Sequence, residues 1–538
     1  MTNNMQPIFI LPEDYQRISG KSALKNNISA AIAVADTVRT TLGPKGMDKM
    51  LVDSSGNTII TNDGVAILEE MEIEHPAAKM IVEVARTQEE EVGDGTTTAV
   101  IIAGELLKNA QSLLEQNIHP SIIIKGYRIA QAKALETLKM ISVEIKEKDT
   151  ETLEKIGETA ITGKGAEIAK EHLSRSAVKA ISRVTENGEP DIDNIKICKK
   201  HGDSVENSEL IEGVVIDKER AHSGMPKKVE NARIAMLDLP VEIRDTEIDA
   251  KIQITDPEKI QQFLDVEEKM LREMVNKIEK SGANVIFCQK GIDEIAQFFL
   301  SQKRFLAVRR VKKSDMEKLS KATGATIVNN LEELSQKSLG HARLVQEKKI
   351  GNENFIFVEK CNNPKAVTIL IRGATEHVVE EVERAVKDSV GDIASAVKSR
   401  RVVGGAGACE IEISKELMGF ASTFKGKEQL AIESFAKSLE VVPKTLAENS
   451  GFDPIDLLAE LKSAHEKSEI WAGISVLDGK ITDSWKQGVI EPLKIKTQAV
   501  NSATEVAVMI LRVDDVIAAS KKKQPGAGNP LGEEQQEQ

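Results

Sequence analysis

Three glycine-punctuated turns carry the residues most able to do chemistry: TLGPKG at 41–46, ITNDG at 60–64 and VGDGTT at 92–97. Glycine lets a backbone turn sharply and bring its amides against an anion, which makes such turns suited to phosphate. Thr96, Thr97 and Thr98 open an apolar run, AVIIAGELLKNAQSLLEQ, that reads as a helix, and Gly95 precedes its start, where free N–H groups favour negative charge. An aspartate beside polyphosphate is repulsive unless a divalent cation bridges the two, so Asp94 reads as a Mg2+ ligand. Asp63 remains as a second carboxylate. Taken singly, Asp94 is an ordinary helix cap and Asn62-Asp63-Gly64 an ordinary turn; the cluster points to a nucleotide. Neither GxxxxGK[ST] nor GxGxxG occurs, which disfavours a P-loop or a Rossmann site.

The elements that must position these turns follow from hydrophobic spacing. Residues 22–40 repeat apolar positions as a helix does, and LVDSSGNTIIT (51–61) reads as two short strands about a turn. Helical pattern dominates to about 148, and 149–215 mixes helix with strand-bearing segments. From 216 strands and helices alternate, GANVIFC and AVTILIRG reading as buried strands of an α/β domain. Val378, Val382, Val386, Val390, Ile393 and Val397 mark one face of a helix over 376–399. Asp388 lies off that face, where periodicity makes it a solvated acid. The chain is mostly helical again from 404 to 519 and closes on KKKQPGAGNPLGEEQQEQ, too polar and Pro/Gly-rich to fold alone.

A chain of 538 residues calls for about two to four domains. Charged residues at 29% and hydrophobic ones at 41% exclude wholesale disorder, and no apolar stretch approaches the roughly 20 residues that span a bilayer. The amino terminus shows neither a basic leader nor a signal-peptide core, so a cytoplasmic protein without membrane insertion is expected. Cys198, Cys288, Cys361 and Cys409 lack CxxC spacing and read as inert thiols. A net charge of -13 with only 3% aromatic residues argues against a nucleic-acid partner.

TLGPKGMDKMLVD (41–53), HPAAKM (75–80), EEVGDGTTTAV (90–100), TGKGAE (162–167), HSGMPKKVENARIAMLD (222–238), NSGFDPIDLL (449–458) and the run from 489 to 519 resemble the group II chaperonins, specifically archaeal thermosome subunits, the family that includes the eukaryotic cytosolic TCP-1 ring complex. The likeness runs nearly end to end. It implies a multidomain chaperonin fold. A mostly helical equatorial ATP-binding domain comes from 1–148 and 404–521, and a small α/β intermediate domain from 149–215 and 371–403. An α/β apical domain spans 216–370, and 522–538 form a disordered tail. Residues 242–282 resemble the helical protrusion that serves as a lid, with Ile248, Ile252, Ile254, Ile260, Phe263, Leu264 and Val266 as its apolar positions. Phe298, Phe299 and Leu300 are expected to divide between core and client-facing surface.

The same resemblance implies ATP and Mg2+ as cofactors and assigns roles. Gly43, Pro44 and Gly46 shape the turn at the nucleotide, with Leu42 packing near the base. Asp94 holds the metal, and Gly95, Thr96, Thr97 and Thr98 meet the phosphates. Asp63 orients or activates the attacking water, Lys164 senses the terminal phosphate, and Asp388 becomes a second catalytic acid brought in by the intermediate domain. Gly404, Gly405 and Glu491 take the ribose and adenine side. The function implied is an ATP-hydrolysing double-ring chaperone that encloses non-native polypeptides beside homologous subunits, as a hetero-oligomer. Departures from the family pattern are Lys398-Ser399-Arg400-Arg401 for an acidic turn, Ala406 within the glycine triplet, Val65-Ala66 after the NDG turn, and Ser475 for an aspartate. The altered turn at 398–407 motivates an alternative, a specialised structural ring subunit with weak ATPase; a small-molecule phosphotransferase lacks a substrate pocket in the pattern.

Overall fold

Amphipathic helices build the first of several cores. The computed structural model describes residues 15–52, 56, 58–146, 149–243, 257–362 and 364–519. Helix Lys21–Arg39 buries Ala23, Asn27, Ile28, Ala31, Val34, Ala35 and Val38, the three-and-four spacing of one helical face. That face packs on Pro76–Val92 and Thr96–Glu115, and the same core takes in Leu417, Phe435, Ala499 and Val508 from the far end of the chain. Its helix Thr96–Glu115 buries Ala99 through Gly104 without a break, so it runs through the centre. The expected hairpin is present, with Lys49–Val52 antiparallel to Thr58–Thr61.

A second core joins helices Thr150–Ile161, Lys170–Val184 and Glu376–Ser399 with Ile195, Val367, Ile369, Ile371, Val402 and Ile490. The long helix buries Val382, Val386, Val390, Ile393 and Val397 as expected, whereas Val378, at its open end, is 36% exposed. Its sheet centres on Val367–Gly373, parallel to Ile195–His201 and antiparallel to Glu209–Ile211.

Residues between form a seven-stranded sheet that includes Gly213–Ile216, Lys228–Leu237, Val285–Cys288, Gly340–Ile350 and Glu353–Cys361. Alternate residues face opposite ways: Ile234, Met236, Val285 and Phe287 fill one core, Ala235, Leu237, Ile286 and Cys288 the other. Strand pairing runs across two of the expected domain edges. Gly213–Ile216 belongs to this sheet although it straddles 215/216, and Val367–Gly373 belongs to the preceding one although it straddles 370/371. AVTILIRG is therefore a buried strand of a different sheet from GANVIFC.

Helix Pro257–Lys280 is split between two environments. Leu271, Val275 and Ile278 are fully buried under the central sheet, while Leu264, Val266 and Met270 are about half exposed. Ile248, Ile252 and Ile254, the side chains of Ile260 and Phe263, and the tail from 520 lie outside the described residues. Phe298 is exposed, whereas Phe299 and Leu300 are buried, so this apolar triplet divides as expected. All four cysteines are buried and unpaired. Among the described residues no helix is long and apolar enough to cross a membrane.

Candidate functional site

Close packing of glycines brings the acid-bearing turns together. A Cβ on Gly64 would lie 2.6 Å from Thr97 Oγ1 and 3.2 Å from Thr96 Oγ1, so only glycine lets the NDG turn sit against the start of helix Thr96–Glu115. Asp63 caps its own short helix: its carboxylate accepts from the amides of Val65 (3.3 Å) and Ala66 (3.1 Å). This cap fixes the Asp63 carboxylate's direction beside the threonines, whereas helix Thr96–Glu115 is capped by Gly95 with no side-chain bond, so Asp94 is not the ordinary helix cap that its sequence allowed. Asn62 Nδ2 donates to the carbonyl of Gly163 at 2.8 Å, and Pro44 Cα lies 2.8 Å from where a Gly163 Cβ would stand. Turns 41–46, 62–64, 93–97 and 162–165 therefore meet. The first is closed by Gly46 N–H to Gly43 O (2.9 Å) and held by Asn449, whose amide donates to Leu42 O (2.9 Å) and Arg39 O (3.1 Å). Leu42 packs half-buried against the first core.

Lys164 stands between two carboxylates. Its ammonium is hydrogen-bonded to Asp388 Oδ2 and lies 3.5 Å from Asp94 Oδ1. Asp388 is thus no solvated acid: its side chain is 13% exposed, turned from the helix's apolar face onto the turns. The two elements meet at Gly93 and Gly391, where a Cβ on Gly391 would lie 3.3 Å from the carbonyl oxygen of Val92. Burial pushes Asp388 up, Lys164 opposes it, and Asp94 and Asp63 add to it, leaving the carboxyl near 7. Burial also disfavours the charge on Lys164, but Asp388 and Asp94 outweigh that and hold it above the usual lysine range. Glu89, at the end of the preceding helix, is pushed up to about 8 by burial and then by Asp388, Asp63 and Asp94. Asp392, one turn past Asp388, is buried with Oδ1 unpartnered and is held well above the usual carboxylate range, by burial first. Carboxyls thus outnumber the lysine, an imbalance that a divalent cation would relieve.

The second end of the site is built by strand pairing. Arg401–Gly404 runs antiparallel to Ile490–Pro492 and sets Val403 opposite Glu491. A Cβ on Gly405 would lie 2.5 Å from Glu491 Oε1, so the glycine leaves that carboxylate its room. Lys496 Nζ bonds Glu491 Oε2 at 2.7 Å and Glu410 Oε1 at 3.0 Å, with both Lys496 and Glu410 almost fully buried. Burial raises Glu491, Lys496 opposes it, and Glu410 and then Asp94 add to the rise. Ala406 adopts a left-handed φ of 58° and Gly407 one of 80°, so the altered triplet keeps a glycine-like bend. Arg401 turns away: it donates to Lys139 O (3.1 Å) and Ser142 Oγ (3.0 Å) at the end of helix Pro120–Ile141. Arg400 ends its helix at φ 53°, with a guanidinium nitrogen 3.2 Å from a Cβ position on Gly188.

These residues fit Mg2+ and a nucleotide polyphosphate. Among the described residues no three acid, cysteine or histidine side chains converge as a metal cage. A cation held by Asp94 would take its remaining ligands from phosphate and water, as Mg2+ does. Sequence reasoning missed Gln88, Glu89, Asp392, Glu410, Asn449 and Lys496, which lie in helices with nothing local to set them apart.

The TCP-1/cpn60 chaperonin family matches over residues 34–521. Thermosome subunit beta of Archaeoglobus fulgidus is 58% identical over 532 residues, 98% of each chain, and its thermosome subunit alpha 54% over 538 residues, 99% of each. Among solved structures, the open-state monomer of a group II chaperonin from Methanococcoides burtonii is 47% identical, with a TM-score of 0.58, covering 78% of this chain and all of that one.

Proposed function

The chain belongs to the TCP-1/cpn60 chaperonin family as a group II, thermosome-type subunit, and from that premise we propose that it hydrolyses Mg2+-ATP at the site above to drive enclosure of non-native polypeptides. One observation supports this most: Lys164 ties Asp94, on turns of the first core, to Asp388, on a helix of the second. Asp94 holds the metal, and the amides and hydroxyls of Gly95, Thr96, Thr97 and Thr98 receive phosphate oxygens. Mg2+, when bound, neutralises phosphate charge and polarises the transferring group. Asp63, fixed by its two backbone bonds, orients the attacking water, and Asp388, with a carboxyl near 7, is tuned to take its proton. Lys164 reports the terminal phosphate by exchanging its carboxylate partners for it. Gly43, Pro44 and Gly46 shape the turn at the nucleotide, with Leu42 near the base, and Gly404, Gly405 and Glu491 take the ribose and adenine side.

The proposal extends to the whole particle. Equatorial, intermediate and apical domains correspond to the three groups of cores, with edges moved as the strands require. Relatives named alpha and beta favour stacked rings of mixed subunits, in the cytoplasm, with neither nucleic acid nor membrane as partner. The specialised weak-ATPase subunit is not favoured, because Arg401 is engaged at a helix end rather than at the glycines. Electron microscopy of the purified chain with and without Mg2+-ATP, beside phosphate release and protease protection of a bound client, tests the reading. Rings that close with nucleotide and release phosphate are expected. Deleting 245–268, which spares Leu271 and Val275, abolishes client protection while leaving hydrolysis intact. A monomer without phosphate release overturns the proposal.

A further inference from the structure

Gln88 is fully buried near the end of helix Pro76–Val92, and its amide joins two parts of the site that are otherwise linked by the solvent-facing pair of Lys494 with Glu91. Its Nε2 donates to the carbonyl of Asp94 at 2.8 Å and to that of Ile495 at 3.3 Å. Both N–H bonds of the amide are thereby engaged. Its Oε1 has no partner, and turning the amide over would set that oxygen against two carbonyl oxygens, so the orientation is decided. The contact is close-packed as well. A Cβ on Gly95 would meet Ile495 Cγ2 at 2.7 Å and Gln88 Nε2 at 3.1 Å, which wedges the metal-bearing turn between the glutamine and the first turn of helix Leu493–Arg512. The residue after Ile495 is Lys496, which clamps Glu491 and Glu410.

We infer that Gln88 is a positioning residue that fixes the main chain of the Asp94–Gly95 turn against Ile495, and so sets the spacing between the metal and phosphate end of the site and the Glu491 end. This rests on the nucleotide reading above. Asp63 and Asp388 are held by other contacts, Asp63 by its own helix and Asp388 by Lys164. Loss of the glutamine amide therefore loosens ground-state binding of Mg2+-nucleotide and leaves the water-activating groups in place.

Gln88→Met keeps the length without a donor, and Gln88→Glu keeps the shape while replacing the donor with an acceptor. Both are made in the full chain and compared with wild type and Asp94→Ala. Amide hydrogen exchange is followed without nucleotide, Mg2+-ADP affinity by calorimetry, and KM and kcat for ATP by phosphate release. The expected result is exchange at Gly93–Thr97 faster by roughly tenfold, with Mg2+-ADP affinity and KM weaker by about the same factor, as loss of a buried hydrogen bond implies; kcat stays within about twofold. Gln88 variants with wild-type affinity and wild-type exchange at the turn overturn the inference, as does faster exchange throughout the first core, which marks packing alone. A fall in kcat at unchanged affinity overturns it too. If Asp94→Ala binds Mg2+-ADP as wild type does, the site reading itself fails; if only Asp94→Ala weakens, the role of Gln88 alone is rejected.

Discussion

Lys164 and Lys496 are both lysines enclosed by carboxylates, yet they are built from different parts of the molecule. Lys496 joins Glu410 and Glu491 through two buried contacts beside paired strands, a cluster closed between residues 401–410 and 490–496. Lys164 bridges Asp94 and Asp388, which ride on elements of separate cores. The first arrangement is locked by neighbours that also pair through the backbone. The second depends on two cores staying together along the Gly93–Gly391 approach. Relative motion of those cores would part Asp94 from Lys164 and Asp388, and on the proposed reading that makes hydrolysis answerable to conformation.

The sharpest break of this comparison removes the acids at the seam. Asp388→Ala and Asp63→Ala each lower phosphate release by about 100-fold or more, the scale of lost acid–base assistance, while Mg2+-ATP affinity measured by calorimetry stays nearly unchanged. Asp94→Ala weakens metal-dependent affinity instead, by roughly tenfold or more. Equal loss of affinity in all three variants contradicts the division of roles.

Stability separates the two lysines next. Lys496→Met strands two buried carboxylates and costs about 3–5 kcal/mol in denaturant unfolding. Lys164→Met costs less than half as much, because Asp388 already sits near neutrality and takes up a proton, and Asp94 is partly solvated. Similar losses in both variants would show the seam to be as locked as the ribose end.

A pH titration sharpens the contrast further. Glu89 at about 8 and Asp388 at about 7 lie above their ordinary values of 4.5 and 3.8. In the nucleotide-free chain the folded state therefore keeps protons that the unfolded state has released. This contribution is fully present below the unfolded values, declines as pH rises above them, and is lost once pH passes about 7 for Asp388 and about 8 for Glu89. Denaturation midpoints should fall as pH is raised from about 5 to 8, and Glu89→Gln should flatten part of that slope. An unchanged slope in Glu89→Gln would remove Glu89 from the cluster.

The smallest effect belongs to the basic turn. Arg401→Ala loses two hydrogen bonds at a helix end, worth about 0.5–1 kcal/mol at this exposed position, and leaves ATP turnover as it was. A rise in turnover would return Arg401 to the nucleotide.

Local pattern in the chain was enough for the helices at 21–39 and 376–399, for the hairpin at 49–61, and for the acid and glycine types at the turns, because apolar spacing and turn chemistry act over a few residues. It was silent on partnership. Periodicity placed Asp388 on the polar face of its helix and stopped there, since a polar face turned to water and one turned to another core carry the same pattern; tertiary packing set it on Lys164. Gln88 and Lys496 reveal the same limit, being polar residues inside helices whose burial is decided by segments some 400 and 85 positions away. Strand partnership meets the same limit: Gly213–Ile216 and Val367–Gly373 join their sheets through hydrogen bonds between distant segments, which local pattern does not encode.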